Sequence, residues 1–370
     1  MKSFKSIIIL LLSAVPVFAQ PNPDFRLLGR KALSNGEYTA AAYFLYADYL
    51  RDTVSFEDHI VTAFLLTNEA EYDKAEGMLA KVQDTIRTEH LSDSLKYFYH
   101  TGLAELAKHK HNYVDAINYT KDIKQDVWHY KLRASCYESL GLYEQAVHEL
   151  LEMEKLKVFD VWLLNVTIGE VYRKSGDYVS SISYYERAKS YDPSNVIAYY
   201  LLGWAYELSG DDESALKYYN QGISLPDNDY AYIYLMRGEL YLRQGKIDLA
   251  KEDFNKILLI DKTLGDGSSR MYALHFLGRD FYSLQWMDRL INNDPNDPGL
   301  YYDKACLCGR MGLIEDSNKA LETAFMKGYR EFAHIEHDDD MDPIRDTDQF
   351  KETFSKYYAI YQDELSRLKF

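Results

Sequence analysis

The residues best suited to chemistry form one acidic cluster near the C-terminus, "HIEHDDDMD" at 334–342. Two histidines and four aspartates there carry the nitrogen and oxygen ligands that bind divalent cations. His334 and His337 are three residues apart, however, which is not the spacing of a zinc-protease helix, and the run has no glycine to turn a calcium loop. The pattern therefore favours a structural linker, with a weak metal site as the alternative.

Other catalytic motifs are missing from the sequence. It contains no glycine-rich phosphate loop, no nucleophile elbow and no cysteine set at metal spacing. Disulfide-held exported proteins carry more than the three cysteines found here, Cys136, Cys306 and Cys308, which we expect to be buried as small apolar residues. We therefore predict a protein that is not an enzyme and that uses no metal and no cofactor.

Charge and the N-terminal segment restrict the partners and the location. The net charge of −16 disfavours a nucleic acid partner, because phosphate binding requires a basic surface. Lys2 and Lys5, an apolar stretch over 7–12 and the small residues of "VFAQ" predict a signal peptide over 1–19, cut after Ala19. That stretch is too short to span a bilayer. We expect a periplasmic or secreted protein without stable membrane insertion after cleavage.

A repeated turn organises the rest of the chain. Turn positions recur every 30 to 41 residues, at Gly36, Ala70, His111, Gly141, Gly176, Gly210, Gly245, Gly278 and Gly312. Five residues after each turn the side chain is always small: Ala41, Ala75, Ala116, Ala146, Ser181, Ala215, Ala250, Ser283 and Ser317. Seven residues before it the side chain is small in every unit except at Met271. A fixed period of this length predicts a repeat architecture of paired helices that cross closely at the small residues.

These columns resemble the tetratricopeptide repeat, a helix–turn–helix unit. The best match is 196–229, with Tyr199, Gly203, Gly210, Ala215 and Tyr219 at the family's positions. The resemblance implies an all-α fold, an α-solenoid with a right-handed superhelix of about nine repeats over 20–331. The predicted units are 22–55, 56–89, 97–126, 127–160, 162–195, 196–229, 231–264, 264–297 and 298–331.

The last apolar face of a repeat array needs a cover. Residues 332–370 are predicted to supply it as an acidic linker followed by a C-terminal capping helix. Asp346 and Gln349 have capping-box spacing, and an aromatic stripe runs from Phe350 to Leu368.

The resemblance also implies a binding surface. In this family the concave face is lined by the first helix of each repeat. Carried over to this chain, those positions give a candidate partner-binding groove of Arg173, Tyr200, Trp204, Glu207, Tyr232 and Glu239.

Aromatic residues ringed by charges are typical of protein-recognition surfaces. We therefore predict a non-catalytic scaffold in the periplasm or cell envelope that binds a protein or peptide partner. Binding of a carbohydrate or envelope polymer on the same aromatic face is the alternative.

Overall fold

The computed structural model describes residues 24–50, 56–83, 91–121, 123, 125–157, 160–226, 229–260 and 268–368. The predicted signal peptide at 1–19 lies outside these residues, and so does its cleavage site. In the described part of the chain the secondary structure is helical, without strands.

The helices follow the predicted turns in pairs. They are α1 (Phe25–Ser34), α2 (Tyr38–Tyr49), α3 (Phe56–Asn68), α4 (Tyr72–Gln83), α5 (Asp93–His109), α6 (Tyr113–Tyr119), α7 (Val127–Ser139), α8 (Tyr143–Lys155), α9 (Val161–Lys174), α10 (Tyr178–Tyr191), α11 (Val196–Leu208), α12 (Asp212–Ile223), α13 (Ala231–Arg243), α14 (Ile247–Ile260), α15 (Ser268–Phe276), α16 (Asp280–Asn293), α17 (Pro298–Arg310), α18 (Ile314–Met326), α19 (Phe332–His337), α20 (Asp342–Arg345) and α21 (Asp348–Ser366). The third predicted unit, 97–126, starts too late, because α5 already begins at Asp93.

Polar caps and left-handed turns set the ends of these helices. Asp160 and Asn195 cap α9 and α11 by accepting hydrogen bonds from the backbone N–H groups of Leu163 and Ile197, at 3.1 Å each. All nine predicted turn positions have a positive φ, between 59° and 85°. Glycine adopts this conformation without a Cβ clash, whereas Ala70 and His111 adopt it at a steric cost.

Paired helices cross at the small residues. The side chains five residues after the turns are fully buried at all nine positions. In the last two pairs the crossing is hydrogen-bonded, since Ser283 Oγ donates to the Met271 carbonyl at 2.8 Å and Ser317 Oγ donates to the Ala305 carbonyl at 2.7 Å. A Cβ on Gly169 would lie 2.5 Å from Tyr185 Cε1 on the partner helix, so only glycine fits there. The predicted close crossing is confirmed.

The chain divides into two compact units. The first contains the described residues up to His109 with 119–121 and 123, and the second contains 110–118 and the described residues from 125 onward. The division falls in the third predicted repeat, where α6 is only seven residues long. Each unit has its own apolar core, around Leu45, Ile60 and Met78 in the first and around Leu202, Tyr219 and Phe254 in the second.

The C-terminal segment packs on the last repeat. Phe325 of α18 stacks on Phe332 at 5.0 Å and on Tyr357 of α21 at 5.2 Å between ring centroids. Helix α21 begins later than the capping-box spacing suggested: Thr347, not Asp346, is its cap, and its hydroxyl accepts from the Phe350 N–H at 3.1 Å. The segment also reaches an earlier repeat, because the Tyr361 hydroxyl donates to the Leu140 carbonyl at 2.6 Å.

Candidate functional site

The six predicted binding residues lie on three consecutive first helices of the repeats. Arg173 is on α9, Tyr200, Trp204 and Glu207 are on α11, and Tyr232 and Glu239 are on α13. We call this surface the A-helix face. Trp204 and Tyr232 are half-buried there, whereas Tyr200 is only 7% exposed.

Four aromatic rings meet on the A-helix face. From the Tyr200 ring centroid, Trp204 lies at 5.7 Å, Tyr232 at 6.2 Å and Tyr230 at 5.2 Å. We call these four residues the aromatic cluster. Sequence reasoning missed Tyr230, because it lies at the N-cap of α13, just outside the helical positions that the resemblance carries over.

A cation covers part of this cluster. The Arg173 guanidinium lies 3.6 Å from the Trp204 ring centroid and pairs with the Glu170 carboxylate at 3.0 Å. Burial alone would lower the pKa of Arg173, but the Glu170 carboxylate raises it above the ordinary arginine value. The guanidinium therefore stays charged and stacked on the indole, which is a favourable cation–π arrangement.

The Glu207 side chain makes its polar contacts within the protein. Its carboxylate accepts from the Tyr219 hydroxyl at 2.7 Å and pairs with Arg243 of the next repeat at 2.7 Å, and its side chain is 6% exposed. Burial raises the pKa of Glu207, while these two donors act in the opposite direction. Because its oxygens already have partners inside the chain, Glu207 is poorly placed to receive a partner protein's donor.

Glu239 connects the A-helix face to the C-terminal segment. Its carboxylate lies 3.5 Å from the Arg310 guanidinium on α17, and Arg310 also binds Asp340 at 2.6 Å. Burial raises the pKa of Glu239 to about 7, against an ordinary value of 4.5. A second carboxyl, Asp303 on α17, is half-buried, and this burial raises its pKa to about 6.

The acidic cluster of the sequence is folded onto α17. Asp338 accepts from the Tyr302 hydroxyl at 2.6 Å, and its oxygen lies 3.8 Å from Cys306 Sγ. Arg345 holds the linker in shape by donating to the carbonyls of 335, 336 and 338 at 2.7 to 2.9 Å. This arrangement fits the linker interpretation of 334–342.

The structure changes the set of residues that could form a metal site: Cys306 is added and His337 is left out. Cys306, Asp338 and Asp340 each offer one potential ligand atom, and these three atoms lie within 4.8 Å of one another. No other such group occurs in the described part of the chain. His337 is outside the group and bonds the Ala333 carbonyl at 2.9 Å. Since Tyr302 already donates to Asp338 and Arg310 neutralises Asp340, the group needs no cation to satisfy its charges. Cys306 is 32 residues from Asp338 in the sequence, so only the tertiary structure shows that it belongs to this group.

The tetratricopeptide repeat family matches the sequence over residues 161–227 and again over 231–264. These stretches contain the helix pairs α9 to α14, with their left-handed turns and small crossing residues, and all six candidate residues. The chain is a tetratricopeptide repeat protein. Its fold is an α-solenoid of consecutively packed helix pairs. Tetratricopeptide repeat proteins act as protein-interaction scaffolds, and their fold is generally non-catalytic.

Solved structures with similarity to this repeat protein have low sequence identity. A tetratricopeptide repeat protein from Parabacteroides merdae is 14% identical, with a TM-score of 0.45 over 70% of this chain and 97% of its own. The C-terminal part of such a protein from Cytophaga hutchinsonii is 17% identical, with a TM-score of 0.47 over 68% and 99%. Yeast Tom70 is 13% identical, with a TM-score of 0.49 over 85% and 66%. No curated protein matches the chain.

The sequence also predicts no stable membrane insertion after cleavage of the signal peptide. Among the residues that the structure describes, every helix is too short or too polar to cross a bilayer.

Proposed function

We propose that this repeat protein is a non-catalytic scaffold whose A-helix face binds a protein or peptide partner. The observation that carries the proposal is the aromatic cluster, in which rings from two consecutive repeats meet and Arg173 stacks on Trp204. Tryptophan, tyrosine and arginine contribute most of the binding energy in protein interfaces. Trp204 and Tyr232 are the members of the predicted groove that combine partial exposure with a large contact area.

The test must separate core from binding surface within the cluster. Tyr200 is almost fully buried, so Tyr200→Ala should leave a cavity and destabilise the protein by about 3–5 kcal/mol. The half-buried Trp204 and Tyr232 are better probes, and Trp204→Ala with Tyr232→Ala should leave most of the fold intact. Thermal melting by circular dichroism would establish this before any binding is measured.

Binding itself can be measured in two steps. Wild-type protein and the double variant serve as baits in an envelope extract, and a protein retained only by the wild type is then purified and titrated. We expect the double variant to weaken that complex by at least about 2 kcal/mol, the size typical of interface anchors. Lys217→Ala, an exposed lysine on α12, is the control outside the A-helix face. Unchanged affinity in a stable double variant would place the binding site elsewhere.

Carbohydrate binding on the same face predicts a different result. A sugar ring stacks on a flat aromatic face, and on Trp204 one such face is already covered by the Arg173 guanidinium. Under this alternative a glycan array would give hits with the wild type that disappear in the Trp204→Ala and Tyr232→Ala variant. An empty array combined with a retained protein partner would rule the alternative out.

Export is part of the proposal and rests on the sequence of residues 1–19. If the segment is a signal peptide, the mature protein begins at Gln20. Expression of the full chain in a Gram-negative host, followed by periplasmic extraction and N-terminal sequencing, tests this. Recovery of an uncut chain from the cytoplasm would contradict export.

A further inference from the structure

A basic cleft lies between α14, α15 and α16, in the repeat that departs most from the pattern. Its volume is about 350 Å³, and its lining includes the side chains of Arg270, Arg279, Arg289, Tyr282 and Trp286. Helix α15 is only nine residues long, and Met271 occupies the crossing position that is small in the other repeats. The α15 residues that line the cleft, Arg270 and Leu274, are not at the helix positions that form the A-helix face. The cleft is therefore a second surface.

The arginines are arranged around the tryptophan ring. The Arg270 guanidinium lies 5.0 Å from the Trp286 ring centroid, and that of Arg289 lies 5.9 Å from it. Arg270 Nη1 also donates to the Leu258 carbonyl at 3.2 Å, which anchors this side chain in the wall. Two cations therefore lie within 6 Å of the centre of one aromatic ring.

Among the described residues, the neighbouring carboxylates pair with groups that do not line the cleft. Asp280 pairs with His275 at 2.8 Å, Asp288 with Lys304 at 2.9 Å, and Asp253 with Arg237 at 2.7 Å. Arg279 and Arg289 are exposed and have no ion-pair partner in the described part of the chain. In a chain of net charge −16, a cleft whose described lining has three arginines and no carboxylate concentrates positive potential.

The walls indicate what kind of anion fits. Arginine binds carboxylates and phosphates through its planar fork of donors. Leu258, Leu274 and Trp286 also line this cleft. A free inorganic anion would make no favourable contacts with such apolar walls. Tyr282 adds a second aromatic ring to the lining, and the 71% exposed Phe281, outside the lining, lies 5.5 Å from it between centroids. Carboxylates next to apolar side chains match this combination of charge and aromatic surface.

We propose that the cleft binds an acidic peptide segment, with glutamate or aspartate carboxylates on Arg279 and Arg289 and an adjoining apolar side chain against Trp286. This inference goes beyond binding at the A-helix face, because it assigns a separate surface and a separate ligand chemistry. The two proposals can fail independently, since variants of Arg279 and Arg289 leave the aromatic cluster unchanged.

Fluorescence anisotropy on the full chain tests the proposal. The probe is a fluorescein-labelled hexapeptide that alternates glutamate and leucine, and the comparison peptide has glutamine in place of glutamate. We expect the acidic peptide to bind at low salt and Arg279→Gln with Arg289→Gln to weaken it by about tenfold. The matched control is Lys319→Gln with Arg367→Gln, two exposed residues outside the cleft whose loss changes the net charge equally.

Three outcomes would overturn the proposal. Equal binding of the glutamine peptide would show that carboxylates are not recognised. Equal weakening in the control variant would show a general charge effect rather than a site. Tighter binding of inorganic phosphate than of the acidic peptide, measured by competition, would assign the cleft to phosphate instead of a peptide carboxylate.

Discussion

Single residues decide how closely the helices of a repeat can approach. Gly169 lies directly under the ring of Tyr185, which is fully buried and whose hydroxyl donates to the Glu170 carboxylate. Gly238 has the same relation to Phe254, where a Cβ would lie 2.6 Å from Cε1. In these two repeats the small residue on the first helix leaves room for an aromatic ring on the second.

We expect Gly169→Ala to destabilise the protein by about 1–3 kcal/mol, because the buried Tyr185 ring cannot move aside without strain. Gly77 on α4 is the matched control, since a Cβ there would meet nothing within 4 Å. Gly77→Ala should be neutral or stabilise by up to about 1 kcal/mol through its better helix propensity. Urea unfolding followed by circular dichroism compares the two, and equal effects would contradict the assigned crossing.

At the scale of elements, the C-terminal segment is more than an end cap. Arg330 joins α18 to α21, because its guanidinium pairs with Glu364 at 2.9 Å and also donates to the Phe325 carbonyl at 2.9 Å. Through Tyr361, helix α21 also binds the turn after α7. A single helix therefore covers the last repeat and also contacts an early repeat of the same unit.

Tyr361→Phe tests the second contact. It removes the hydroxyl that bonds the Leu140 carbonyl at 2.6 Å and leaves a buried carbonyl without that donor, which should cost about 1–3 kcal/mol. Tyr358→Phe is the control on the same helix, because Tyr358 is 40% exposed. Thermal melting should separate the two variants. Identical melting temperatures would mean that the contact with Leu140 contributes nothing to stability.

At the scale of the whole molecule, charge links the A-helix face of the second unit to its C-terminal segment. Glu239, Arg310 and Asp340 form one chain of ion pairs. The pKa of Glu239 is raised to about 7, so its protonated form is favoured in the folded protein. The contribution of Glu239 to stability is therefore greatest below pH 4.5, and it decreases as the pH rises to about 7.

Glu239→Gln should consequently stabilise the protein at pH 8 but not at pH 4, because glutamine mimics the neutral carboxyl. The difference between the two pH values should be at most about 3 kcal/mol, from about 1.4 kcal/mol for each pKa unit. Glu213→Gln, on exposed α12 surface, is the control for losing one charge. Urea unfolding at both pH values measures the effect, and a stability change that is the same at both pH values would refute the raised pKa of Glu239.

The sequence by itself determined the repeat architecture. Turn positions such as Gly176, the small residue five positions later and the caps at Asp160 and Asn195 are local signals, because each acts within one helix turn or one crossing. The family resemblance implied that Trp204 and Tyr232 share one surface, and the structure brings them together through Tyr200.

Only the tertiary structure decided which of these residues are available to a partner. Tyr200 is buried in the core, and Glu207 binds Tyr219 and Arg243. Glu239 pairs with Arg310, which is 71 residues away in the chain. The arginine cleft and the approach of Cys306 to Asp338 likewise join residues on different elements. A helical period indicates the face on which a side chain lies, but the exposure and the partners of that side chain depend on distant segments that the period does not encode.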